Sequence, residues 1–250
     1  MIKKELVSIV TANYNAEKFI VETIDSVLSQ SYQNWEMIIV DDCSTDGSIG
    51  IAKEYIAKDS RIRLIQLEQN SGPAVARNRA IEEAKGRYIA FLDSDDIWKP
   101  EKLEKQIAFM QENHIDFSYA AYDLIDEDGA EKGYFSIPEK QNYTDLLKTC
   151  SIGCLTAVYD IKKLGKIKMP NIKRAQDYGL WLRILKKTKY AYGLNEILGT
   201  YRLRNTSVSS NKFKKAKYQW KVYREVEKMG LFKSTFYFAH YAINGFRKYK

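Results

Sequence analysis

The chain has 250 residues, of which 45% are hydrophobic and 29% charged, so it has room for one large folded domain or a domain with an appendage. Its apolar runs fall well short of the roughly 20 residues that span a bilayer, and its first residues lack the small-residue cleavage site of a signal peptide. Three cysteines provide no disulfide framework, which favours a reducing, cytoplasmic location.

The net charge of +8 is concentrated near the C-terminus. Residues 211–250 contain eleven Lys/Arg and two acidic residues, so residues 1–210 have a net charge of −1. This asymmetry argues against a nucleic-acid-binding body and predicts that the tail meets an acidic surface.

The first half of the chain alternates strand and helix patterns. Apolar, β-branched runs predict strands, and apolar residues at helical spacing predict helices. The predicted strands are 6–12, 35–40, 61–67 and 87–92, and the predicted helices are 16–30, 48–57 and 73–86. Such alternation predicts an α/β domain with a mostly parallel, Rossmann-like sheet and helices on both faces. Ligands of such sheets bind beyond the carboxyl ends of the strands.

The second half is less regular. It predicts a helix over 100–114, a strand over 116–125, a turn at Asp128–Gly129, a helix over 176–188 and a strand over 196–204. The basic tail follows this last strand.

Polar clusters follow three of the predicted strands, at Ala12 to Asn15, at Asp41–Asp42 and at Asp93 to Asp96. In a parallel sheet these clusters converge on one edge. Asp41–Asp42 has two interpretations. The pair could cap the loop and the following helix, since Asx turns and caps are the commonest use of Asp in such loops. It could instead bind a ligand, since it lies at the predicted ligand-binding edge of the sheet.

The run Asp93-Ser94-Asp95-Asp96 is harder to explain by capping, since one Asp suffices for a cap. Alternating carboxylates on a short turn predict a site for Mg²⁺ or Mn²⁺ shared with a substrate diphosphate. The chain has neither GxxxxGK[ST] nor GxGxxG, so neither a P-loop nor a standard dinucleotide site is indicated.

Three stretches carry a family resemblance. They are the set "SIVTANYN … WEMIIVDDCSTDGS … GPAVARNRAIEEAKGRYIAFLDSDDIWKPEKL", "RAQDYGLWLRIL" (174–185) and "TYRLRNTSVSS" (200–210). Together these stretches resemble the family 2 glycosyltransferases, which have the GT-A fold. The resemblance implies transfer of a sugar from a nucleotide-diphosphate donor, with inversion at the anomeric carbon. UDP-sugars are the commonest donors, and a glycan or lipid-linked saccharide of a bacterial surface polysaccharide is the implied acceptor.

By the same resemblance, Ala12, Tyr14 and Asp42 line the nucleoside pocket, and Arg77 faces the nucleotide. Further roles are implied along the Asp93 turn and the predicted helix 176–188. Asp93 and Ser94 contact the ribose or the water molecules on the metal. Asp95 is the metal ligand nearest the diphosphate, with Asp93 beside it. Asp177 is the base that deprotonates the acceptor hydroxyl. Without the motif, Asp177 reads as a first-turn Asp favoured by the helix dipole.

The chain departs from the family pattern at Arg204, where histidine is usual, and at Gln176, where glutamate is commoner. A guanidinium cannot ligate a metal but can clamp a phosphate, so Arg204 is predicted to bind the diphosphate. The polymer-synthase signature QxxRW is absent from the sequence, which favours one linkage per encounter.

The predicted domains are 1–210, divided into a donor half (1–115) and an acceptor half (116–210), and a basic helical extension (211–250). Apolar residues of this tail, including Phe232, Phe236, Ile243 and Phe246, have near-helical spacing. They predict either an interfacial helix on the anionic inner face of the plasma membrane, or a helix that packs on the body or on another subunit of a homo-oligomer. Two alternative functions are a sugar-nucleotide nucleotidyltransferase and a non-catalytic sugar-binding relative.

Overall fold

The computed structural model of the chain describes residues 4–204 and 212–247. Its strands form a single sheet in the order β3-β2-β1-β4-β9-β6-β10-β5, with β7 paired to β6 and β8 paired to β10. The strands are β1 Val7–Asn13, β2 Trp35–Asp41, β3 Ile62–Gln66, β4 Tyr88–Phe91, β5 Ile97–Trp98, β6 Phe117–Ile125, β7 Glu131–Phe135, β8 Lys140–Gln141, β9 Val158–Asp160 and β10 Ala191–Arg202.

The helices lie on both faces of this sheet, as the sequence predicts. They are α1 Ile20–Leu28, α2 Ser48–Lys58, α3 Pro73–Glu83, α4 Lys102–Glu112, α5 Tyr143–Lys148, α6 Ile161–Leu164, α7 Gln176–Leu185, α8 Lys212–Lys221 and α9 Leu231–Arg247. A 3₁₀ turn at Cys154–Thr156 and a π-helical turn at Val222–Val226 complete the fold.

Successive strand residues point to opposite faces, and this alternation divides the interior into two cores. Val10 and Phe91 belong to the core beneath α3, α5 and α7, whereas Ile9 and Ala90 belong to the core beneath α1, α2 and α4. Both faces of the central strands are buried, which explains their near-continuous apolar sequence.

The first half of the sheet is parallel, as predicted: β1 pairs with β2 and β4, and β2 pairs with β3. The short strand β9 was not predicted. It lies antiparallel between β4 and β6 and joins the two halves into one sheet. Three residues are too few to show a period, so tertiary pairing decides this strand.

The predicted strand 196–204 begins five residues earlier, at Ala191. Register shifts between Leu194 and Gly199 interrupt the alternation of side chains, which hides the first part of β10 in the sequence. The predicted turn at Asp128–Gly129 is confirmed: it joins β6 to β7, and Gly129 adopts a φ of 85°.

The tail continues the body's core. Val222 and Tyr223 are fully buried, and the Tyr223 hydroxyl donates to the Leu147 carbonyl oxygen at 2.5 Å. The predicted division of the chain at residues 115 and 210 stays a prediction. Among the helices of residues 4–204 and 212–247, none combines the length and apolar character needed to cross a bilayer.

Candidate active site

The carboxyl ends of β1 and β2 meet because these strands pair in register, with Asn13 opposite Asp41. The Asn13 amide donates to the Asp41 carboxylate at 2.7 Å, and the Ser44 backbone N–H donates to the same carboxylate at 2.9 Å. Asp41 is therefore engaged in shaping the loop after β2 through a side-chain hydrogen bond to the backbone. It does not cap α2, whose N-cap residue is Gly47.

Asp42 has a different environment. Its carboxylate accepts hydrogen bonds from the backbone N–H groups of Ser71 at 2.7 Å and Gly72 at 2.8 Å. Gly72 has a φ of 88° and directly precedes Pro73, the first residue of α3. Asp42 thus fixes the start of α3 against β2, and its hydrogen bond to a nucleobase stays a prediction.

Ala12 and Tyr14 lie at the same end of β1. Ala12 is half-buried and packs against the core, whereas the Tyr14 side chain is half exposed next to the loop after β2. A large exposed ring beside the strand ends is a suitable surface for a flat base. Their roles in the nucleoside pocket stay predictions.

Arg77 projects from α3 to Asp93, at the end of β4. Its Nε and Nη2 atoms lie 3.1 and 2.5 Å from Asp93 Oδ1, so the ion pair is bidentate at the guanidinium. Burial would lower the pKa of Arg77, but the charges of Asp93 and Asp177 outweigh it and hold the pKa above its ordinary value. Arg77 therefore carries a permanent positive charge that pairs with Asp93 and interacts electrostatically with Asp177.

Asp95 faces Arg204, whose Nη1 lies 3.3 Å from Asp95 Oδ2. Burial and the neighbouring Asp93 raise the pKa of Asp95, while Arg204 opposes the shift. Ser94, between the two aspartates, is buried. The raised pKa of Asp95 therefore comes first from its burial and second from the neighbouring carboxylate.

Asp96 is not a helix cap. Its Oδ1 accepts from the Arg202 backbone N–H at 3.0 Å, and its backbone oxygen accepts from the Thr23 hydroxyl at 2.8 Å. Burial, followed by the charges of Asp95 and Asp93, raises the pKa of Asp96 well above its ordinary value. Through these two hydrogen bonds, Asp96 holds the Asp93–Asp96 turn against β10 and α1.

Arg202 was not singled out from the sequence. Its side chain is buried, donates to the Asp95 backbone oxygen at 3.1 Å and pairs with Glu22 of α1 at 2.5 Å. The one sequence signal was its place in the Tyr-Arg pair before Arg204. The structure thus places two arginines against the Asp93–Asp96 turn; residues 205–210 of that motif lie outside the described residues.

Asp177 is the second residue of α7, and packing fixes its position. Trp181 lies 5.4 Å from both Phe91 of β4 and Phe117 of β6, between ring centroids. Gly179 allows α7 to lie against Pro170, since a Cβ there would come 2.4 Å from Pro170 Cγ. Ala175, just before α7, has a left-handed φ of 58°, a conformation disfavoured for residues other than glycine.

Burial raises the pKa of Asp177, while the backbone N–H of Tyr178 and the charge of Arg77 lower it and that of Asp93 raises it. The charges of Arg77 and Asp93 therefore both act on the Asp177 carboxyl group, although Asp177 lies 84 positions after Asp93 in the sequence. Strained backbone and a perturbed carboxyl group in one place are typical of a functional site.

Cys154 also lies in this site and was not predicted to. Burial, followed by the charge of Asp93, raises the pKa of its thiol well above the ordinary value, with Arg77 opposing and Asp177 adding to the shift. The sequence around Cys154 gives no indication of this position, because no recognisable motif marks a half-buried cysteine in a 3₁₀ turn.

The carboxylates fit a divalent cation only in part. Within the described residues, no three His, Cys, Asp or Glu side chains converge on one point. Mg²⁺ and Mn²⁺ are commonly held by one or two carboxylates together with substrate phosphates and water, and the turn supplies that number through Asp93 and Asp95.

Comparison with known proteins agrees with this geometry. Residues 8–161 match the family model described as glycosyl transferase family 2. The putative teichuronic acid biosynthesis glycosyltransferase TuaG of Bacillus subtilis is 52% identical over 246 residues, covering 98% of each chain. The Escherichia coli UDP-Glc:alpha-D-GlcNAc-diphosphoundecaprenol beta-1,3-glucosyltransferase WfgD is 44% identical over 245 residues, covering 98% of this chain and 95% of its own.

Among solved structures, S. aureus TarS 1–349 in complex with UDP-GlcNAc superposes with a TM-score of 0.74 at 24% identity, covering 94% of this chain and 71% of TarS. This likeness confirms the GT-A fold. The family match and the identity to the two relatives establish that the chain is a glycosyltransferase and belongs to glycosyl transferase family 2.

Proposed function

We propose that the enzyme transfers a sugar from a UDP-sugar to a lipid-linked saccharide in the synthesis of a cell-surface polysaccharide, at the inner face of the plasma membrane. The names of two relatives support this: the name of WfgD gives UDP-Glc as the donor and alpha-D-GlcNAc-diphosphoundecaprenol as the acceptor, and the name of TuaG refers to teichuronic acid biosynthesis. Both align with this chain over 98% of its length.

The observation that carries the proposed mechanism is the grouping of Asp177, Arg77 and Asp93 at the end of β4. In a single displacement, the acceptor oxygen bonds to the anomeric carbon while the bond from that carbon to the diphosphate oxygen breaks. The acceptor proton passes to the Asp177 carboxylate, and the reaction inverts the anomeric configuration. The raised pKa of Asp177 suits a base that must accept a proton.

The donor would bind along the strand ends. Ala12, Tyr14 and Asp42 would form the nucleoside pocket, Ser94 would meet the ribose, and Arg204 would clamp the diphosphate. Asp95, with Asp93 beside it, would hold Mn²⁺ or Mg²⁺, which when bound neutralises charge on a departing diphosphate. Arg77 holds Asp93 in place and would face the nucleotide.

The test is a transfer assay with a panel of nucleotide sugars and a diphospholipid-linked saccharide, with NMR of the product's anomeric proton. The expected result is release of a nucleoside diphosphate and an inverted linkage. Retention of configuration would contradict the single displacement. Conversion of the UDP-sugar and added pyrophosphate to UTP and a sugar 1-phosphate would instead indicate a nucleotidyltransferase, and donor binding with no turnover would indicate a sugar-binding protein.

A further inference from the structure

Helix α9 has one face committed to the body of the protein. Ser234 is fully buried, and Tyr237 and Phe238 pack against the core that also contains α7. Phe238 meets Trp220 of α8 edge-on, with ring centroids 5.5 Å apart, and the Asn244 amide donates to the Lys148 backbone oxygen at 3.3 Å. This face therefore lies against α5 and α8.

The opposite face is also apolar. Phe232 is 93% exposed, Phe236 55% and Ile243 50%, and Ala239 lies exposed between them. We call these four residues the outer stripe. Their spacings of four, three and four residues place them on one side of the helix over about 16 Å. A surface helix normally presents polar residues there, so the outer stripe requires a partner.

The charge around the outer stripe is positive. Residues 231–247 contain no Asp or Glu, and residues 211–250 have a net charge of +9. Lys233 is exposed beside Phe232, and Lys228 lies just before the helix. An apolar stripe that is rich in phenylalanine and flanked by lysines is the pattern of a helix that lies in the plane of an anionic membrane interface.

We propose that the outer stripe of α9 seats the enzyme on a bilayer surface that contains anionic phospholipids. A second copy of the chain is a poorer occupant, because pairing two α9 helices would bring together two segments that each carry Lys233 and Arg247 and no acidic residue. The choice of a membrane also rests on the proposed function, in which the acceptor is a membrane lipid.

Docking through α9 would orient the whole domain, because the tail is held firmly. The Gln219 amide donates to the Tyr223 hydroxyl at 2.8 Å, and Tyr223 is fully buried. Arg174, three residues before Asp177, lies over the Tyr218 ring of α8 at 5.3 Å. The path from the outer stripe to the catalytic helix α7 therefore runs through packed side chains.

The test is flotation of the full-length protein with vesicles of phosphatidylglycerol and phosphatidylcholine, compared with vesicles of phosphatidylcholine alone. We expect binding to the anionic vesicles that weakens as salt is added. The double variant Phe232→Ser/Phe236→Ser should bind at least tenfold more weakly. Tyr134→Ser is the matched control, since Tyr134 is a 65% exposed aromatic on the β6–β7 hairpin, far from the tail in sequence, and should bind like the wild type.

Two further measurements separate the outcomes. Transfer to a water-soluble acceptor analogue should be unchanged in the double variant, because the outer stripe lies outside the cleft. Sedimentation should show no change in mass. The membrane proposal would be overturned if the wild-type protein did not bind anionic vesicles. It would also be overturned if the wild type were a dimer that dissociates in the double variant while vesicle binding persists. Either result would leave the proposed reaction intact. Vesicle binding without transfer to any lipid-linked saccharide would contradict the proposed acceptor alone.

Discussion

Trp181 of α7 packs edge-on against Phe91 of β4, with ring centroids 5.4 Å apart. Phe91 lies two residues before Asp93, and Trp181 lies one helical turn after Asp177. This contact therefore sets α7, which carries the proposed base Asp177, against the strand that leads into the Asp93–Asp96 turn.

Asp177→Asn should reduce sugar transfer by at least 10²-fold, since a positioned general base typically contributes 10² to 10⁴. Donor binding, followed as the change in melting temperature on adding UDP, should stay near the wild-type value, because Asp177 faces the acceptor in the proposed mechanism. Asp128→Asn, in the exposed β6–β7 turn, is the control. Turnover at the wild-type rate would remove Asp177 from the mechanism.

The pH dependence of kcat/KM should reflect the raised pKa of Asp177. The base works only when ionised, so activity should fall as pH drops through a value above the roughly 3.9 of an exposed aspartate. Arg77→Gln removes a charge that lowers the pKa of Asp177, which should move this acid limb to higher pH.

Arg79→Gln provides the control, because Arg79 lies on the same helix but pairs with Glu83 at the surface. Its acid limb should coincide with that of the wild type. An acid limb that stays in place in Arg77→Gln would show that another group titrates.

Asp95→Asn should weaken metal-dependent donor binding. In the wild type, UDP should raise the melting temperature more with Mn²⁺ than with EDTA, because Asp95 would hold the cation and the cation would neutralise charge on the diphosphate. The amide is a poorer ligand for a hard cation, so this difference should largely disappear. Asp123→Asn, which removes a surface partner of Lys99, should retain it; a retained difference in Asp95→Asn would place the metal elsewhere.

Gly179→Ala should destabilise the protein by about 1–3 kcal/mol, the usual cost of forcing extra volume into a packed site. The new methyl group would meet Pro170 and push α7, so transfer should fall as well. Gly50→Ala is the matched control, because this exposed glycine of α2 has open space around its Cβ position and should be stabilised by about 0.5–1 kcal/mol. Urea unfolding measures both changes.

Trp181→Ala should lower the free energy of unfolding by about 3–5 kcal/mol, as is typical for a large buried ring. Trp181→Phe should cost much less, because Trp181 Nε1 is buried without a hydrogen-bond partner among the described residues, and phenylalanine keeps most of the ring contact. Equal losses in the two variants would show that the indole N–H, and not the ring, matters.

The sequence by itself determined the parallel half of the sheet and the turn that carries Asp93 and Asp95. Continuous apolar runs and a dense carboxylate cluster are local signals, and the strands formed where the pattern indicates. The short strand β9 and the bulged start of β10 could not be predicted, because pairing with distant strands decides both.

The site followed the same division. The motif pointed to Asp177, but only packing could bring it to the Arg77–Asp93 pair across 84 residues of chain. Arg202 and Cys154 joined the site with little sequence signal, since their environment is made by β10 and the 3₁₀ turn. Composition showed that the tail is basic and aromatic. Tertiary structure alone decided which of its faces is buried against α5 and which stays exposed.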